Sequence, residues 1–158
     1  MHKQVMDSGV AEVSAEDLMG AVEQLVRYVR RGTTAGGLSQ AASSALNRLG
    51  REGPLRLSEL ARAENVSQPN MTQLITRMEK AGLARRTADA SDGRGVLVEA
   101  TDTGREVFRR RQTERARALQ RLVGGLPEAD QQAVRVALPA LARAIRDQSP
   151  GQGPEAAS

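Results

Sequence analysis

Apolar residues return at helical spacing over most of this chain. Leu18, Val22, Leu25, Val26 and Val29 alternate with Glu16, Asp17, Glu23 and Arg27, which predicts an amphipathic helix over about 16–31. The segment Gly32-Thr33-Thr34-Ala35-Gly36-Gly37 should stop it. A second, weakly apolar helix over about 38–51 uses Ala42, Ala45, Leu46 and Leu49, with Gly50 and then Gly53-Pro54 closing it.

The next stretch changes character. Leu57, Leu60 and Ala61 share one face of a short helix over Leu57–Glu64, and Asn65-Val66-Ser67 reads as a turn. Ser67 is a good N-cap, and Pro69 falls in the first turn, where no intrahelical N–H bond is lost. The helix it opens places Met71, Leu74, Ile75 and Met78 on a buried stripe and ends at Gly82. Two short helices joined by a tight turn have the layout of a helix-turn-helix. Ala84–Ala88 and Val96–Glu99 then read as short strands around the turn-forming segment 89–95, a hairpin placed as a wing. Thr101 caps a long helix to about Val123, broken by Gly124-Gly125. From Pro127 a last helix carries the stripe Val134, Leu138, Leu141 and Ile145. The expected fold is mainly α with a small β-hairpin wing. Residues 1–15 are expected to be a flexible segment and 148–158 a disordered tail.

Composition narrows the function classes. The chain has 158 residues, 39% hydrophobic and 27% charged, enough for one globular domain with a core. No apolar run is long enough to span a bilayer and no signal-peptide pattern opens the sequence, so a cytoplasmic protein without membrane contact is expected. There is no cysteine, and the only histidine is His2, which removes disulfides, thiolate sensing and most metal or nucleophilic chemistry. Gly32–Gly37 lacks the lysine and spacing of a phosphate loop. Neither an enzyme nor a cofactor or metal protein is expected. The net charge of +4 is concentrated in residues 101–124, with seven arginines against three acids. A basic balance is compatible with nucleic acid. Tyr28 and Phe108 are the only aromatics, which disfavours stacking on single strands or RNA and leaves duplex DNA as the better partner.

The order of elements and several motifs resemble the MarR family of winged helix-turn-helix transcription regulators. Leu57-Ser58-Glu59-Leu60-Ala61 resembles the family's entry into the helix-turn-helix, and Met78-Glu79-Lys80-Ala81-Gly82-Leu83-Ala84-Arg85 the exit from its recognition helix. Asp92-Gly93-Arg94, followed by Val96, Val98, Thr101 and Gly104, resembles the wing signature, with Ala100 in place of the usual leucine. The resemblance covers roughly residues 16–147, with the winged helix-turn-helix at about 53–101 and dimerisation helices at 16–31 and 102–147.

It implies a homodimer, most simply a repressor on a palindromic operator, in some relatives released by a small, often phenolic, effector. Opposite the buried stripe of the recognition helix, Gln68, Asn70, Thr72, Gln73, Thr76 and Arg77 would face DNA, while its start at Ser67 and Pro69 would favour a phosphate. A solvated polar face is the alternative. By the resemblance, Arg94 would enter the minor groove and Asp92 would brace it; otherwise they form an Asx-type turn with a solvated arginine. Arg85 and Arg86 are candidate phosphate contacts or plain strand-surface charges. The arginines of the long helix read as a mostly solvated surface, or else one or two near the wing touch the DNA backbone or line an effector cleft. Tyr28, Arg27 and Arg48 are candidates for an effector site, or else a core tyrosine and surface arginines. The terminal stripes serve either a dimer interface or an intramolecular core. The competing function is a helical protein-interaction module that has lost DNA binding.

Overall fold

The computed structural model describes residues 12–32, 37–91, 93 and 95–148. The expected N-terminal segment up to residue 11, the loop at 33–36, the wing residues Asp92 and Arg94, and the tail from 149 lie outside the described residues. Two compact units emerge, one reaching to Arg115 and one beginning at Ala116.

The first unit opens with α1 (Ala15–Arg31). Ser14 accepts the amide of Asp17 at 3.1 Å, and Glu16/Asp17 and Arg30/Arg31 complement the two ends of the helix dipole. Then follow α2 (Gln40–Glu52), β1 (Leu55–Arg56), α3 (Leu57–Ala63), α4 (Gln68–Lys80), β2 (Ala84–Ala88) and β3 (Val96–Ala100). The helix α5 (Asp102–Gly124) begins here and continues into the second unit.

The core is built by α2, α3, α4 and the sheet. Leu46, Leu60, Met71, Ile75, Met78 and Val98 are fully buried at its centre, and Val107 and Phe108 of α5 pack against it. Leu46, Leu60, Met71, Ile75 and Met78 lie on the faces that helical spacing predicts, so for these helices the hydrophobic pattern and the burial coincide. The chain turns between α3 and α4 at Asn65, whose φ of 54° lies in the left-handed region that asparagine tolerates better than most residues. After α4, Gly82 takes φ 73° and the amide of Leu83 reaches back to the carbonyl of Met78 at 2.9 Å.

Two features depart from the sequence expectation. The wing is one side of a three-stranded antiparallel sheet in the order β1-β3-β2, because Leu55 and Arg56 pair with Val98 and Leu97. A two-residue strand shows no alternation in sequence. Gly50, expected to help close α2, lies within it, and the helix ends at Gly53. A Cβ at Gly50 would stand 2.7 Å from the Phe108 ring, so the glycine is there for the close approach of α5.

In the second unit α5 ends at Gly124, and α6 (Glu128–Asp147) follows a turn in which Leu126 bonds the carbonyl of Val123 at 3.0 Å. No residue of α6 is buried. Among the described residues, no helix is long and apolar enough to cross a membrane.

Candidate nucleic-acid interface

The face of α4 opposite its buried stripe is polar. Ser67 accepts the amide of Asn70 at 3.3 Å and sets the start of the helix. Gln68, Pro69, Asn70, Thr72, Gln73 and Arg77 are exposed, and Thr76 is half-buried. Thr72 and Thr76 donate their hydroxyl protons to the carbonyls of Gln68 and Thr72, both at 2.9 Å. Those hydroxyls therefore meet an outside partner only as acceptors, while their methyl groups stay available for apolar contact. Gln73 and Arg77 make no side-chain hydrogen bond to another described residue, which leaves an amide and a guanidinium available for bidentate base contacts.

The two strand arginines are placed differently. Arg85 pairs with Glu99 directly across the β2–β3 ladder and keeps 58% of its side chain exposed. Arg86 turns towards α4, where it pairs with Glu79 and donates to the Thr72 carbonyl at 2.9 Å and to Thr76 Oγ1 at 3.1 Å. A guanidinium held by three groups of the reading helix fixes that helix against the sheet. The neighbours of Asp92 and Arg94 are described: Gly93, at φ 67°, donates to the carbonyl of Asp89 at 3.1 Å, and Asp89 donates to the carbonyl of Gly95 at 2.9 Å.

A second polar concentration lies elsewhere in the first unit. A cavity of about 480 Å³ is bounded by α1, α2 and the first half of α5. Arg27, Arg30, Arg31, Arg111 and Arg115 line it, with Ser43 and Asn47, and no carboxylate is among its walls in the described residues. Arg111 is buried and donates to Ser43 Oγ at 2.8 Å. Burial pushes its pKa down, against the opposing charge of Glu114. Arg115 is pushed down by burial and then by the charges of Arg111, Arg30 and Arg51. The buried Oδ1 of Asn47 and Nε of Arg115 have no hydrogen-bond partner among the described residues.

Of the residues considered for an effector, Arg27 lines this cavity, whereas Tyr28 and Arg48 do not. Arg48 instead pairs with Glu64 at 2.6 Å and Glu52 at 2.8 Å, tying α2 to the end of α3. Arg111 and Arg115 were hidden among seven arginines of one helix. Their spacing from Gly104 and Phe108 on the packed face of α5 was the signal that singles them out.

A helix-turn-helix with an outward polar second helix, flanked by a hairpin, defines the protein as a winged-helix DNA-binding transcription regulator. The MarR family model matches residues 38–96, which span α2, the helix-turn-helix and β2 and end at the first residue of β3. An HTH-type transcriptional regulator of Mycobacterium bovis is 32% identical over 136 residues, covering 86% of this chain and 94% of that one. The chain belongs to the MarR family. The solved structure of AbsC, a MarR family transcriptional regulator from Streptomyces coelicolor, is similar with a TM-score of 0.56 and 26% identity, over 84% of this chain and 92% of that one. A transcriptional regulator from Thermotoga maritima shares the fold at 23% identity with a TM-score of 0.71, over 87% and 96% of the two chains. A DNA-binding regulator, and not an enzyme, is what these relationships establish.

Proposed function

We propose that the protein acts as a homodimeric repressor on a palindromic operator. The observation that carries this reading is the exposure of the apolar stripes on α1 and α6. Leu18, Val22 and Val26 of α1 are exposed, and so are Val136, Leu138, Leu141 and Ile145 of α6. Neither helix contributes a buried residue to its own unit, which favours a second copy over an intramolecular core as the purpose of both stripes. Twofold pairing presents two reading helices to an inverted repeat.

On each half-site, Gln68, Asn70, Thr72, Gln73 and Arg77 read base edges in the major groove, with Thr76 at the border of that face. The start of α4 at Ser67 and Pro69 meets a phosphate. Arg85 contacts the backbone, Arg86 holds the reading helix, and Arg94 enters the minor groove with Asp92 beside it. A dimer bound over a promoter excludes polymerase without any further contact, so repression is the simplest output. Selection from random duplex DNA tests the reading. It should return an inverted repeat; recovery of a single half-site, or of no preferred sequence, refutes it.

The cavity favours release by a small anion. Five arginines on its walls suit carboxylate or phosphate groups, and Val26 and Leu38 offer an apolar edge to a phenolic ring. Thermal shifts with 4-hydroxybenzoate, citrate and pyrophosphate, each repeated on Arg30→Gln, test it. A rise in melting temperature that the variant loses supports the reading, and no rise with any of the three overturns it.

A further inference from the structure

Asp89 sits where β2 leaves the sheet, and its polar groups are all engaged. Oδ2 accepts from Nε of Arg56 at 2.9 Å, and Nη2 of the same guanidinium stands 2.9 Å from it in an ion pair. Oδ1 accepts from the amide of Ser91 at 3.0 Å and from its hydroxyl at 2.7 Å. The Asp89 amide and carbonyl bond Gly95 and Gly93, on the two sides of position 94 in the sequence. Only 9% of the Asp89 side chain is exposed. Hydrogen bonds from Ser91, and then the charge of Arg56, hold this carboxyl below its ordinary range.

Arg56 is itself anchored in the helix-turn-helix. It lies in β1, pairs with Leu97 of β3, and its amide donates to Glu59 in the first turn of α3 at 3.2 Å. The β2–β3 ladder runs out to Ala88 and Val96, but the described side chains at this end bury little. Thr87, Ala88 and Val96 are exposed, and Leu97 is only partly buried. Beside Arg56, a cavity of about 220 Å³ is lined also by Leu57, Gln68, Gly95 and Val96.

We propose that Asp89 is the positioning residue of the wing and Arg56 its anchor, so that the ion pair sets the aim of the hairpin from the start of α3. This rests on the reading that the wing faces DNA. Sequence preference at the operator flanks then depends on a pair that need not touch DNA, while preference at the major-groove bases does not. Asp89→Asn keeps the size and one acceptor oxygen but removes the charge, Arg56→Met removes the anchor, and Arg56→Lys keeps a cation.

Hydrogen exchange on the full chain without DNA comes first. Amides of 89–97 should exchange roughly tenfold or more faster in Asp89→Asn and Arg56→Met, with 68–80 unchanged and Arg56→Lys intermediate. Binding follows, on a duplex selected by the wild type and on the same duplex altered only at its flanks. The flank preference should collapse towards equal binding in both variants, while discrimination at the central half-site bases is kept. Wild-type exchange over 89–97, an unchanged flank preference, or equal losses at flank and centre would overturn the proposal. If the wild type selects no duplex, the DNA-facing reading of the wing fails, and the exchange experiment still decides the tether.

Discussion

Gly104 packs directly on the backbone carbonyl of Leu83, at the point where the end of the reading helix meets the start of α5. A Cβ at this position would overlap that carbonyl oxygen. Thr101 completes the joint: its amide donates to the Leu83 carbonyl at 3.1 Å, and its hydroxyl donates to the Gly82 carbonyl while accepting the Gly104 amide at 3.0 Å. Neither backbone segment is the flexible end of a side chain, so relief requires α5 to shift. Gly104→Ala should therefore destabilise the fold by about 1–3 kcal/mol, as overpacking of a close contact does. Chemical denaturation of the purified variant checks it; wild-type stability would mean that the joint yields without strain.

The reading face and its support should separate by mutation. Gln73→Ala or Arg77→Ala should weaken the selected site by about 1–3 kcal/mol per half-site and leave scrambled duplex nearly unaffected. Arg86→Met, which frees Glu79 and Thr76, should lower affinity for both DNAs and also the melting temperature. Titrations on the two duplexes at fixed salt distinguish the cases. Equal losses from Gln73→Ala on both would reassign that residue to backbone positioning.

The difference between those residues marks how far the sequence could be read. Met71, Leu74, Ile75 and Met78 exposed the packing of α4 through local spacing, and Ser67 and Gly82 marked its ends, so its outward face followed. Contacts that join distant elements have no such local sign. Arg86 looked like any strand arginine until the fold brought Glu79 to it, and the Arg56–Asp89 and Ser43–Arg111 contacts span 33 and 68 positions. The two residues of β1 show no period in the sequence, and a packing glycine such as Gly50 looks the same there as a helix-breaking one. Asp92 and Arg94 were picked out by family resemblance and lie outside the described residues.

Acid should loosen two of these connections together. Burial raises the pKa of Glu64, but hydrogen bonds from Ser44 and Arg48 and the charge of Arg48 outweigh it, leaving the group below its ordinary range. Asp89 is held below the ordinary carboxylate range, through Ser91 first and then Arg56. A folded pKa below the unfolded value means that the stabilisation is complete above the unfolded pKa and is lost as pH falls through the folded one. Melting temperature should thus be insensitive to these two groups above about pH 5 and fall below about pH 4. Glu64→Gln should make that fall shallower; an identical acid profile in the variant would remove Glu64 from the explanation.

The dimer offers the most decisive measurement. Val22 of α1 and Leu141 of α6 are 49% and 59% exposed, so a single chain would hardly register a charge at either position. Exposed substitutions usually change stability by no more than about 0.5 kcal/mol. If a second copy covers these faces, Val22→Asp or Leu141→Asp places a carboxylate in an apolar seam once per protomer. Burying a polar group there without a partner costs about 2 kcal/mol or more. Sedimentation equilibrium at micromolar concentration should report twice the 16.9 kDa chain mass for the wild type. The double variant should shift towards the single-chain mass, with helical content retained and affinity for the inverted repeat reduced to that of a half-site. A wild type that sediments as one chain would refute the twofold reader. A double variant that stays dimeric would place the interface on another surface and leave both stripes without the purpose assigned to them.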